Sequence, residues 1–244
     1  MAKASRWTPP PKLTCTGCKT AQSAEWCALD PAGLERINTA KATRRYAAGE
    51  SIYLQGDPCQ GVFCIESGLV AVRVSDPDGN SKMLRTVDAG ETLGTADFFA
   101  GRGYRASAHS VKEAIVCHVP GDVLRSALLA HPALSLEFLA HGAQDLERAN
   151  TAALQRAIYP VRMRLARLIV EFKDKHGTSS DDGAIALELP VSWQEAADLL
   201  DARPETVSRS VQAMVHDGVF ITTGRKVVIP DLDRLLDELE APPE

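Results

Sequence analysis

Three cysteines, Cys15, Cys18 and Cys27, stand close together near the start of the chain, and three more, Cys59, Cys64 and Cys117, follow. The first dozen residues, MAKASRWTPPPK, lack the apolar core of an export signal, so the thiols are expected to stay in a reducing cytoplasm. There a chain with this many thiols points to metal binding or redox work, not to a disulfide frame. Thiolates suit tetrahedral zinc and iron–sulfur clusters alike, and the cysteines alone do not choose between them. A redox enzyme or electron carrier using the same thiols would need a substrate pocket or a second cofactor motif; neither a G-x-G-x-x-G nor a P-loop is present.

A second group of residues could read bases. Ser192-Trp-Gln-Glu195 has the pattern of a capping box, in which the serine hydroxyl accepts from the Glu195 backbone N–H and the glutamate reaches back. Asp201-Ala202-Arg203 makes a three-residue turn, Pro204 opens a second helix that Gly218 closes, and VFITTGRKVVIP folds back about Thr223-Gly224. Helix, tight turn, helix and hairpin make a winged helix-turn-helix. The first turns of its second helix carry Glu205, Thr206, Ser208 and Arg209. Arg209 can offer two donors to guanine, Glu205 can accept from cytosine N4, and Ser208 can serve either role. Arg203, Arg225 and Lys226 belong to the same helix entrance and to the wing, where phosphates would run. The net charge is -5, from 27 basic and 32 acidic side chains, so nonspecific affinity should be modest and selectivity should come from base contacts and dimer avidity.

These residues need elements to hold them. A chain of 244 residues is long enough for two ordinary domains, and 45% hydrophobic with 24% charged residues is a globular mix. No run of about 18 apolar residues exists. Between 46 and 119, short apolar runs (SIYLQ, GVFCIES, LVAVRV, KMLRTV, AIVCHV) alternate with glycine-rich turns, the rhythm of an antiparallel sandwich or barrel. Pro120-Gly121 closes that region, and 131–158 reads as a helix in which Leu139, Gly142, Leu146, Ala149 and Ala153 recur at spacings of three and four. So narrow a seam either covers the strands of its own chain or pairs with a second copy; self-pairing is the preferred reading. Pro160 suits a new helix start, which sets a domain boundary near Ile158; 161–175 is amphipathic, 177–183 a polar loop and 184–190 a strand. The expected fold is α+β: a cysteine-rich arm (1–28), a β-roll (29–130), a dimerisation helix (131–158) and a winged helix-turn-helix (159–244).

The β-roll with GESIYLQGDP and the IESG turn, the long helix, and a winged helix carrying P-E-T-V-S-R together resemble the CRP/FNR superfamily of bacterial transcription regulators, over nearly the whole chain. Within it the sequence looks most like the oxygen-sensing FNR branch, with its N-terminal cysteines, a later cysteine before the end of the roll, and E-x-x-S-R in the recognition helix. The resemblance implies that Glu205, Ser208 and Arg209 read a TTGAT-like half-site, repeated as a palindrome for a homodimer. It also implies that Cys117 is the distal ligand, so that Cys15, Cys18, Cys27 and Cys117 hold a [4Fe-4S] cluster. Eight residues separate Cys18 from Cys27, more than the branch usually has. Loss of the cluster to oxygen or nitric oxide would loosen the seam, although Ala149 falls where relatives can carry an acidic residue. The turn 76–81 matches the loop with which relatives contact RNA polymerase. Cyclic AMP is not expected as a ligand, because Thr95 follows Gly94 and Ala106 follows Arg105 where that branch keeps its phosphate- and ribose-binding pairs. Haem has His109, His118, His131 and His141 available but no motif that marks one. Cys64 reads as a core residue, and Cys59, which follows a turn, is only a minor candidate for a substitute ligand.

Overall fold

The computed structural model describes residues 15, 18, 25–179 and 183–240, so most of the cysteine arm lies outside the described residues. Two compact units divide the chain, Met1–Leu146 and Glu147–Glu244. The division falls within the long helix, not at its end near Ile158.

The first unit begins with a 3-10 turn, Glu25–Ala28, and the helix α1, Pro31–Ala40. Asp30 starts α1 by accepting from the Gly33 N–H at 2.6 Å, with Pro31 pre-set in the first turn. Eight strands follow: β1 Ala42–Tyr46, β2 Ser51–Tyr53, β3 Gly61–Ser67, β4 Leu69–Ser75, β5 Ser81–Asp88, β6 Thr92–Leu93, β7 Ser107–Ser110 and β8 Ala114–Pro120, with the short helix α2, Thr95–Phe99, before β7. They form two four-stranded sheets, ordered β1-β8-β3-β6 and β2-β7-β4-β5, and every pairing is antiparallel. This is the β-roll that the alternating runs predict. Gly68 has to be glycine: its φ is +94°, and a Cβ there would stand 2.5 Å from the Glu113 carbonyl oxygen.

Strand β3 is buried on both faces, and its alternation sorts side chains between two cores. Ile65, with Phe63 against it, packs inward with Tyr46, Tyr53, Val87, Leu93, Tyr104 and Val116. Val62 and Cys64 face outward, where Val119, Trp26, Ile37, Leu124, Leu134 and Phe138 make the second core. Helix α3, Gly121–Ala130, supplies Leu124 to that outer core. The sequence reading misses it because Pro120-Gly121 looks like an end; Pro120 is instead the residue from which α3 starts. His131, non-helical, separates α3 from α4, Pro132–Ile158, and the two helices are bent by 113° at the break. Among the described residues no single helix is long and apolar enough to cross a membrane.

The second unit holds α5 Val161–His176, β9 Thr178–Ser179, β10 Ile185–Glu188, α6 Trp193–Leu199, α7 Pro204–His216, β11 Ile221–Thr223, β12 Lys226–Ile229 and α8 Leu232–Asp237. Its sheet runs β11-β12-β10-β9, all antiparallel. Leu165, Ile169 and Phe172 of α5 are buried, as are Val207 and Met214 of α7, Phe220, Ile229 and Leu235. Strand β9 falls in the stretch that reads as a polar loop, and α8 has no counterpart among the predicted elements.

Candidate nucleic-acid interface and thiol-lined pocket

The helix-turn-helix is assembled by local chemistry. Ser192 and Glu195 form the full capping box, and the Trp193 indole N–H donates to the Gly224 carbonyl at 2.8 Å, fixing the wing turn against the start of α6. Asp201 takes a left-handed conformation (φ 50°), and the Ala202 N–H reaches back to the Ala197 carbonyl at 3.0 Å. Arg164 of α5 also donates to the Leu200 carbonyl, so the turn is held from both sides. Val207, Val211 and Met214 form the buried stripe of α7. That stripe turns Glu205, Ser208 and Arg209 outward, and all three are exposed, with Thr206 half-buried. Arg203, Arg225 and Lys226 are exposed as well. The side chains of Arg203, Glu205, Ser208, Arg209 and Lys226 make no hydrogen bond or ion pair among the described residues, while Arg225 lies 3.5 Å from Glu188. Such a face can accept an external partner without first breaking internal bonds.

Helix α4 uses two faces. Leu134 and Phe138, one turn apart, are buried in the outer core. The seam residues Leu139, Gly142, Leu146, Ala149 and Ala153 are all exposed, Leu139 to 69% and Leu146 to 63%. The seam therefore does not cover the strands of its own chain.

The thiols separate into three locations. Cys15, Cys18, Cys64 and Cys117 line one pocket together with Trp26, Lys41 and Glu66. Cys117 sits on β8 and is 6% exposed; Cys64 is its direct partner across β3, and Thr43 and Thr92 extend the same row over β1 and β6. The Thr43 hydroxyl lies 3.3 Å from the Cys117 sulfur. Burial pushes both thiols up from their ordinary range; for Cys64 the neighbouring Cys117 and Glu25 add to it, and for Cys117 the Thr43 hydroxyl and Lys41 oppose it. Burial works against the Lys41 charge, but the Cys117 and Cys15 sulfurs outweigh it and hold the ammonium above its usual pKa. Among the described residues the buried Trp26 indole nitrogen has no hydrogen-bond partner. Cys27 is exposed and does not line the pocket. Cys59 packs against the inner core, on the far side of the sheet, with its sulfur 3.4 Å from the Gly61 carbonyl oxygen. Three of the four expected ligands thus share a pocket with a thiol, Cys64, that the sequence reading assigns to the core. The signal for it is present: in GVFCIES, Cys64 alternates with Phe63 and Ile65, as Cys117 does with Val116 in AIVCHV. Among the described residues, no three Cys, His, Asp or Glu side chains converge closely enough to chelate one metal ion.

A β-roll followed by a winged helix-turn-helix with a free recognition face is the build of a DNA-binding transcription regulator. A cyclic nucleotide-binding domain matches residues 43–131 and a Crp-like helix-turn-helix domain residues 163–238. The chain is 24% identical over 207 residues to the CRP-like cAMP-activated global transcriptional regulator of Mycobacterium tuberculosis, covering 85% of this chain and 92% of that protein. It is 24% identical over 231 residues to the transcriptional activator protein FnrL of Cereibacter sphaeroides, covering 92% and 91%. The crystal structure of a CRP-family transcriptional regulator from Thermus thermophilus superimposes with a TM-score of 0.67 at 27% identity, over 82% of this chain and 98% of that one. The chain belongs to the CRP/FNR family of transcription regulators, a non-enzymatic family whose members bind DNA and act as dimers.

Proposed function

We propose that this regulator belongs to the FNR-like branch and senses oxygen or redox state, with nitric oxide as a second signal, through a [4Fe-4S] cluster. It works in the cytoplasm as a homodimer, reads a palindromic TTGAT-like site with Glu205, Ser208 and Arg209, and meets RNA polymerase through the turn 76–81. The observation that carries this reading is the pocket shared by Cys15, Cys18 and Cys117.

The pocket's chemistry fits such a group. Four thiolates give each iron of the cluster one ligand, and the assembly is then an anion. Lys41 supplies a cation beside Cys15 and Cys117, and the orphaned Trp26 N–H supplies a donor that sulfide can accept. A single tetrahedral zinc needs its sulfurs about 3.8 Å apart, from zinc–sulfur bonds near 2.3 Å. Four thiols lining one pocket could serve either, and the likeness to the FNR branch favours the cluster. Cyclic nucleotide is disfavoured on the other face: Arg105, where a phosphate would be bound, is paired with Asp97 at 3.3 Å, and Tyr104 stacks on Tyr53 at 4.0 Å inside the roll.

When bound, the cluster supplies an oxygen-reactive centre whose loss frees its ligands. The chain's own residues carry that event to the dimer. Glu25 and Trp26 tie the turn after the arm to α4 through His141 and Phe138, and α4 presents the open leucine seam to a second copy. Two-state switching of this kind needs only a few kcal/mol of differential stability. Protein purified without air is expected to show a broad absorption near about 400 nm that bleaches on exposure to air. A colourless protein carrying zinc overturns the sensing function and leaves the DNA reader.

A further inference from the structure

We propose that Cys64, not Cys27, is the fourth thiol of the cluster; the proposal rests on the cluster reading above. Directly opposed residues of an antiparallel pair put their side chains on one face, with Cβ atoms about 4.5–5.5 Å apart. Cys64 and Cys117 are such a pair. Their face is the outer one, where Cys15 also packs against the Trp26 and Ile37 core, and both thiols line the pocket with Cys15 and Cys18. That set contributes two ligands from the rigid sheet and two from the arm.

Cys27 is held away by its neighbours. Glu25, 3% exposed, accepts from the Thr92 hydroxyl at 2.9 Å and lies 3.0 Å from His141 Nδ1. Trp26, also buried, meets the Phe138 ring edge-on at 5.5 Å. With those two side chains anchored inward on a 3-10 turn, the next residue points outward, and Cys27 is exposed. Drawing it into the pocket would unwind the turn and withdraw Glu25 and Trp26 from their partners. Cys64 needs no such movement: on ligation its S–H proton is released to solvent and an iron–sulfur bond takes its place.

The test uses the full chain prepared anaerobically as wild type, Cys27→Ala and Cys64→Ala. Iron, acid-labile sulfide and the visible band are measured, with far-ultraviolet circular dichroism as a check on folding. Cys27→Ala is expected to keep the wild-type iron, sulfide and band, and Cys64→Ala to lose them while keeping its fold. Because Cys64→Ala alters a packed site, the loaded wild-type protein is also alkylated with iodoacetamide without air and mapped by mass spectrometry. Cys27 is expected to be labelled while the band persists. A band lost in Cys27→Ala, or a Cys27 shielded from alkylation until the cluster is removed, overturns the assignment and leaves the sensor intact. Iron and sulfide missing from wild type overturn the cluster itself.

Discussion

Glu25 Oε1 lies 3.0 Å from His141 Nδ1, joining the turn that follows the cysteine arm to the middle of helix α4. The other Glu25 oxygen accepts from Thr92 on β6, so one buried carboxylate holds three parts of the first unit. Replacing Glu25 by Ala leaves the buried Thr92 hydroxyl without its acceptor, and such orphaning costs about 1–3 kcal/mol, while the half-exposed His141 imidazole can turn to water. Urea denaturation is expected to show that loss, with a smaller one for Glu25→Gln, whose amide oxygen still accepts from Thr92. Equal stability in wild type and Glu25→Ala would mean the carboxylate does not bind the turn to α4.

Arg209 and the wing cations should fail in different ways. Arg209→Ala is expected to weaken binding to the preferred site by about 1–3 kcal/mol and to relax selectivity at one base pair, since a bidentate arginine reads guanine. Lys226→Ala is expected to weaken binding to all sequences alike and to reduce the slope of log K against log salt by about 1. Fluorescence anisotropy on cognate and scrambled duplexes across a salt series separates the two effects.

Leu139 and Leu146 are the largest exposed side chains of the seam, and nothing in the chain covers them among the described residues. Replacing both by Glu puts like charges across a two-fold helix pair and is expected to give a monomer in light scattering. Since Leu134 and Phe138 pack on the other face, the melting of the roll should barely change. A dimer that survives the double change would place the interface elsewhere.

His109 adds a pH dependence. Burial, and then the Arg73 charge, hold its pKa below the ordinary 6.5. The folded state therefore favours the neutral ring, and the associated stability is complete above about pH 6.5 and is lost as pH falls through the lower folded-state pKa. Melting temperatures of the metal-free protein should drop between pH 7 and 5 by less in His109→Gln than in wild type. Parallel curves would show that this histidine takes no part.

Local signals make much of the chain readable before any coordinates. The Ser192 to Glu195 capping box, Pro204 at the head of α7, Gly218 after it and the glycine turns of the roll act within a few residues of themselves, so their outcome is written in short stretches. Hydrophobic alternation likewise indicates the strands, although Pro120 looks like a stop and hides α3. The identity of the thiols that meet is not local. It depends on the register of β3 against β8, which pairs Cys64 with Cys117 across a separation of 53 residues. It depends too on Glu25 and Trp26 being buried, which turns the adjacent Cys27 to solvent. A one-residue slip of that register would turn Cys64 into the inner core and Phe63 and Ile65 out of it. Sequence spacing does not encode that choice; the packing of both faces of one sheet makes it.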